Sequence, residues 1–220
     1  MAQIQVVERV LKANDAVAAG NRARLDQAGV LAINLMSAPG SGKTALLEAT
    51  IPALAPERCA VLVGDLQTTR DADRINRVCK QVVQINTGRG CHLTADQVSD
   101  GLAALDLSSI DYLFIENVGN MVCPASHALG EHRRVVALSL PEGEDKAAKY
   151  PTLFQCADAV LLTKIDLIGI LPFDEERVRS DLAMLNTRAP LLRLSSRNGA
   201  GMGEWLAWLR NQRPATTPSR

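Results

Sequence analysis

From residue 30 onward the chain alternates short apolar runs with stretches in which apolar residues recur every three or four positions. The runs fall at 30–36, 60–63, 82–85, 112–115, 135–140, 159–162 and 191–194. Strands without polar alternation, separated by helical periods, predict a mostly parallel seven-stranded sheet buried on both faces by helices, an α/β fold. Ligands of such sheets bind beyond the carboxyl ends of the strands. Ahead of this pattern, residues 2–28 place Ile4, Val7, Val10, Leu11, Val17 and Ala18 between charges. That spacing predicts a helix stopped by Gly20-Asn21, followed by a second short helix. The expected organisation is an N-terminal helical extension at 1–28, one α/β domain at 29–212 and a flexible tail at 213–220. Pro141, Pro151, Pro172 and Pro190 punctuate the second half without opening a linker.

The first run leads directly into Ser37-Ala38-Pro39-Gly40-Ser41-Gly42-Lys43-Thr44 and then a helix-like segment. A strand, a small-residue loop and a helix N-terminus form a cradle for phosphate, in which backbone N–H groups of Gly40, Ser41 and Gly42 curl round the anion. Lys43 reaches the β and γ phosphates, and the Thr44 hydroxyl can hold Mg²⁺. The consensus loop has Gly where this chain has Ser37, so only the second half of the motif matches strictly. The prediction is a P-loop NTPase.

Two further signals sharpen it. A buried run ends in Thr163-Lys164-Ile165-Asp166, which resembles the Asn-Lys-x-Asp guanine motif of GTPases. The Asp166 carboxylate can accept from guanine N1–H and its 2-amino group together, and the Lys164 stem can pack on the base, so GTP is favoured over ATP. Thr163 replaces the usual Asn. Ser195-Ser196, after the last run, resembles the loop that closes over guanine. Asp65 and Glu116 each end an apolar run and should project toward Mg²⁺ and the γ-phosphate. With Lys43 they are the candidate catalytic groups. Gly119, in Glu116-Asn117-Val118-Gly119, can offer its N–H to the γ-phosphate and move when that phosphate leaves.

Lys and Arg balance Asp and Glu at 24 each, so net charge draws the chain neither to nucleic acid nor to an anionic membrane. No stretch has the roughly 18 apolar residues of a membrane span. The N-terminus, with Glu8, Arg9, Lys12 and Asp15, lacks a signal-peptide core. A cytoplasmic protein is expected. Its five scattered cysteines form no disulfide framework in a reducing compartment. Cys59, Cys79 and Cys156 lie in apolar contexts and read as core. Cys91-His92 and Cys123 either pack as small buried residues or suit Zn²⁺ or Ni²⁺. As a metal site they supply three ligands, leaving water, a backbone nitrogen or a twofold-related subunit to complete four. His127 could share a helix face with Cys123, but a solvated histidine is the favoured reading.

Taken in order, these motifs resemble the HypB family of NiFe-hydrogenase maturation GTPases, of the SIMIBI class. The likeness rests on the 34–44 phosphate loop, on Gly64 to Ile75, on Thr87-Gly88-Arg89-Gly90-Cys91-His92-Leu93, on Ile115 to Pro124, and on Glu142 to Lys146 through Lys149-Tyr150-Pro151. It implies a homodimer, dependent on nucleotide and metal, that binds nickel or zinc at Cys91, His92 and Cys123. It also implies delivery of nickel to a hydrogenase large-subunit precursor, with a nickel accessory protein as partner. Residues 1–29 hold neither Cys nor His, so the N-terminal nickel-storage motifs of some relatives are not expected here. Urease-accessory GTPases would show Cys-Pro-His where this chain has Cys123-Pro124-Ala125. From another class, a dimerising nucleotide switch with structural zinc fits the same motifs. A small-molecule kinase would need a basic lid, and Arg133-Arg134 instead runs into a strand.

Overall fold

The computed structural model describes residues 6–65, 69–88 and 90–213, with side chains from residue 10. Leu66-Gln67-Thr68 and Arg89, part of the motif blocks above, lie outside the described residues, as does the expected tail from residue 214.

All seven predicted strands form: β1 (Leu31–Ser37), β2 (Cys59–Asp65), β3 (Gln81–Asn86), β4 (Tyr112–Glu116), β5 (Arg133–Ser139), β6 (Ala159–Thr163) and β7 (Leu191–Arg193). They make one sheet in the order β3-β2-β4-β1-β5-β6-β7, parallel at every pairing. Helices α1 (Val6–Ala28), α2 (Lys43–Ala53), α3 (Arg70–Ile75), α4 (Ala95–Ala103), α5 (Lys146–Lys149), α6 (Pro151–Gln155), α7 (Glu175–Leu185) and α8 (Met202–Gln212) cover it. Every residue of β1, β4 and β6 is buried, the outcome of having apolar layers on both faces. On one face Leu46, Leu47 and Ile51 of α2 pack with Trp205 and Leu209 of α8 over Ile33 and Phe114. On the other, Leu25 of α1 and Val98 and Leu102 of α4 cover Ala32, Leu62 and Leu113. Because every strand runs the same way, the carboxyl ends of β1, β2, β4 and β6 bring their following loops to one edge.

The N-terminal segment departs from the sequence expectation. Gly20-Asn21 does not stop a helix; α1 runs unbroken through it. A glycine inside a helix costs about 1 kcal/mol relative to alanine. Here tertiary contacts offset that cost: the Asn21 amide donates to Ala95 O at 2.8 Å and to Leu129 O at 3.0 Å, while Leu25 is wholly buried. The first residue of the expected tail is also anchored. Arg213 donates to Asp111 at 3.1 Å and its guanidinium lies 5.4 Å from the centre of the Tyr112 ring. Among the described residues no helix is long and apolar enough to cross a membrane.

Candidate functional site

The phosphate loop leaves β1 at Ser37 and turns into α2 at Lys43. Gly42 caps that helix at φ 96°, a left-handed conformation that L side chains resist. Lys43 is 8% exposed and its Nζ donates to the Ser37 hydroxyl at 2.9 Å, so the residue that departs from the consensus holds the lysine in place. Burial pushes the Lys43 pKa down, against the opposing pull of Glu116. The Thr44 hydroxyl donates to Glu116 Oε1 at 2.7 Å. Glu116 is buried, its other oxygen has no hydrogen-bond partner, and burial lifts its pKa to about 7 despite Lys43 nearby. A buried, unpartnered carboxylate oxygen beside a hydroxyl is a donor set suited to a hard cation, and these residues fit Mg²⁺.

A cleft of about 490 Å³ gathers Lys43, Thr44, Asp65, Glu116 and Gly119. The sequence had placed all five there. A Cβ on Gly119 would come within 2.8 Å of the Pro39 backbone. Only glycine lets the segment after β4 lie against the phosphate loop.

A second cleft of about 270 Å³ adjoins the first and shares Gly42 and Lys164 with it; Asp166, Ser195 and Ser196 line it. Lys164 adopts φ 60°, a backbone state costly outside glycine and frequent at functional turns. Its Nζ donates to Gly40 O at 2.7 Å, laying the side chain across the phosphate loop. Thr163, in place of the usual Asn, donates its hydroxyl to Ser41 O at 2.8 Å and so ties the two loops together. Ser195 Oγ donates to Asp166 Oδ1 at 2.6 Å, orienting the carboxylate. The two clefts form one groove, with room for phosphates at one end and an acceptor for a base at the other.

Cys91, His92 and Cys123 come together although 32 residues separate the two thiols. Their ligand atoms lie within 4.8 Å of one another, with the Cys91 Sγ 3.0 Å from Cys123 Sγ and 3.5 Å from His92 Nδ1. Two thiols and an imidazole at this spacing suit a borderline transition metal. The Cys123 contact first, then burial, raises the Cys91 pKa; burial and His127 lower that of His92. A neutral imidazole is the ligating form. Asn120 Nδ2 donates to Cys91 O at 3.2 Å, anchoring this loop to the segment after β4. Cys79 is buried, and Cys59 and Cys156 are partly buried against the two larger cores, as read from the sequence.

Sequence reasoning missed three features. Asp71 and Arg74 of α3 line the phosphate cleft, with Arg74 held in a salt bridge to Glu48. His127 is not free in solvent: its ring packs on that of His92, centroids 3.9 Å apart. A buried polar network runs beneath the site. Asn117 Oδ1 accepts from Leu93 N at 3.1 Å, Asn117 Nδ2 donates to Asn34 Oδ1 at 3.2 Å, and Asn34 Nδ2 donates to Glu131 Oε1 at 3.3 Å. Arg134 Nε donates to the same Glu131 oxygen at 2.7 Å and its NH1 to Ala125 O at 3.2 Å. An asparagine in the middle of an otherwise apolar β1 was the signal available for it.

Residues 31–193 match the family described as CobW/HypB/UreG, nucleotide-binding domain. The hydrogenase maturation factor HypB of Azotobacter vinelandii is 49% identical over 211 residues, covering 96% of this chain and 70% of that protein. The hydrogenase/urease maturation factor HypB of Helicobacter hepaticus is 47% identical over 198 residues, covering 88% and 81%. The crystal structure of HypB from Helicobacter pylori in complex with nickel superposes with a TM-score of 0.87 at 39% identity, covering 92% of this chain and 98% of that one.

Proposed function

The chain belongs to the HypB family of the CobW/HypB/UreG nucleotide-binding proteins, and we propose that it is a GTPase that couples its nucleotide state to delivery of nickel during hydrogenase maturation. The observation that carries the reading is that Cys123 lies on the segment after β4 whose first residues line the nucleotide cleft, and that the Cys91-His92 loop is hydrogen-bonded to the same segment through Asn117 and Asn120. In the proposed complex Lys43 and the loop amides bind the phosphates and Asp166 selects guanine. Thr44, Asp65 and Glu116 would hold Mg²⁺, which supplies charge neutralisation on the phosphates. Glu116 must ionise to do so, and a bound cation favours that form. Hydrolysis then depends on positioning, with Gly119 placed to sense the γ-phosphate.

The ion delivered is the cargo, taken up as Ni²⁺, with Zn²⁺ as competitor. Loss of the γ-phosphate would release Gly119, and the Asn117 and Asn120 contacts carry that movement to Leu93 and Cys91. On the other side, Arg134 links Glu131 to the turn that starts at Cys123. Metal affinity and nucleotide binding are therefore coupled, and reciprocally so. We place the protein in the cytoplasm as a homodimer formed with nucleotide and metal, acting on a hydrogenase large-subunit precursor with a nickel accessory protein. The H. hepaticus relative is a hydrogenase/urease maturation factor, which adds urease as a second target class for the same chemistry.

The test is Ni²⁺ affinity and molecular mass measured with and without a non-hydrolysable GTP analogue, beside a GTP hydrolysis assay with Mg²⁺. The expected result is hydrolysis together with a metal affinity that changes on adding the analogue. Metal binding indifferent to nucleotide, with no turnover, overturns delivery and leaves a structural metal site.

A further inference from the structure

A second imidazole is folded against the metal cluster four residues beyond Cys123. The His127 ring centroid lies 3.9 Å from that of His92, with the planes inclined at 38°. His127 Nδ1 lies 2.9 Å from Cys123 O. A carbonyl oxygen can only accept, so Nδ1 carries the proton and the neutral ring has its lone pair on Nε2. An imidazole whose Nδ1–H rests on a backbone carbonyl is set up to ligate through Nε2. The backbone is fixed as well: His127 lies at the end of the Cys123–Ser126 turn, whose Pro124 and Ala125 are buried. The ring therefore sits beside a cluster that offers three ligand atoms, where a closed tetrahedral site takes four.

We propose that His127 is the fourth protein ligand, so that Cys91, His92, Cys123 and His127 of a single chain enclose the ion. The inference rests on the reading of Cys91, His92 and Cys123 as the cargo site given above. The three donors lie within 4.8 Å of one another and the His127 nitrogens stand outside that group. Ligation therefore requires the His127 ring to swing inward along the face of His92. The ion is then held without a ligand from a partner subunit. Outward movement of the same ring opens one coordination position for the acceptor.

The experiment uses the full chain loaded with Zn²⁺, Ni²⁺ or Co²⁺, with affinity from chelator competition, coordination from the Co²⁺ ligand-field spectrum and molecular mass from light scattering. X-ray absorption of the zinc-loaded wild type, measured without nucleotide so that the chain is monomeric, is expected to count two sulfurs and two imidazoles. His127→Phe keeps a ring against His92 but removes both nitrogens. It should weaken Zn²⁺ binding by at least the ten- to a hundredfold typical of outer-shell losses and alter the Co²⁺ spectrum, and His127→Ala should do the same. Wild-type affinity and spectrum in His127→Phe overturn the assignment, including where His127→Ala is impaired, since the ring then only positions His92. One imidazole per ion in the wild type also overturns it. A Cys123→Ala protein that loses the ion while His127→Phe keeps it sinks this inference alone. A wild type that binds no ion, or Cys123→Ala that binds like wild type, sinks the cargo site itself.

Discussion

Asn117 and Leu93 are joined by one hydrogen bond, from the Leu93 amide to the Asn117 side-chain oxygen at 3.1 Å, and that bond ties the loop after β3, with Cys91 and His92, to the segment after β4. Leu93 follows His92, and Asn117 follows Glu116. Asn117 is 1% exposed and Leu93 is wholly buried, so water cannot replace the contact. Leu93 also packs under Gly64, where a Cβ would fall 2.8 Å from its side chain. The two loops are therefore held to each other within the core.

Asn117→Ala leaves the buried Leu93 N–H and Asn34 Oδ1 without partners. Stability in denaturant titration is expected to fall by about 1–3 kcal/mol, the cost of stranding a buried polar group. The response of metal affinity to a GTP analogue should shrink in the same variant, while affinity for the metal alone changes little. A full nucleotide response in a destabilised variant would mean that the contact is only structural.

Lys43→Ala is expected to abolish triphosphate binding while the chain remains folded, because the lysine is a desolvated cation, held by the Ser37 hydroxyl, that lines the phosphate cleft. Isothermal titration with a GTP analogue, beside circular dichroism, measures both. Nucleotide affinity equal to wild type would remove the phosphate loop from the site.

Asp166→Asn replaces a double acceptor by an amide, which suits xanthine better than guanine. Competition between GTP and XTP should therefore shift toward XTP. Ser195, which donates to Asp166 Oδ1, can donate equally to the amide oxygen, so the fold should persist. An unchanged preference would place the base elsewhere.

Cys123→Ala is expected to lower Ni²⁺ or Zn²⁺ affinity by at least ten- to a hundredfold and to leave GTP affinity nearly unchanged. Cys79→Ala, whose buried thiol donates to Cys59 O in the core, should do neither. Chelator competition and nucleotide titration on both variants decide between a ligand and a packing thiol.

The buried Glu116 sets a pH dependence in the protein free of nucleotide and metal. Its pKa rises from 4.5 to about 7 on folding, so between those values the folded state binds more protons than the unfolded. Its contribution to stability is complete below about pH 4.5 and is lost as pH rises through about 7. Urea unfolding of wild type against Glu116→Gln should show the difference in stability moving in favour of the Gln variant across that window. Adding Mg²⁺ and nucleotide should reduce the effect, because a bound cation favours the carboxylate.

The fold and the nucleotide groove were legible because both are written in contiguous residues. Seven apolar runs specify a doubly covered parallel sheet, since a strand buried on both faces cannot alternate. The loop at 38–42, followed by Lys43 and Thr44, builds its cradle locally, from backbone N–H groups at a helix start. Glu116 needed only its position at a strand end, and Asp166 the Thr-Lys-x-Asp spacing that follows one. Chain-local rules failed where distant segments decide the outcome. Gly20-Asn21 has the composition of a helix stop, yet hydrogen bonds from Asn21 to residues 74 and 108 positions away keep α1 continuous. His127 has the sequence context of a solvated residue, yet the meeting of the loops after β3 and β4 packs it against His92. The buried chain from Asn117 through Asn34 and Glu131 to Arg134 joins residues up to 97 positions apart, and no local period marks it. Periodicity reports which face of an element is buried. Which buried polar groups meet is set by the sheet order, and only tertiary packing supplies that.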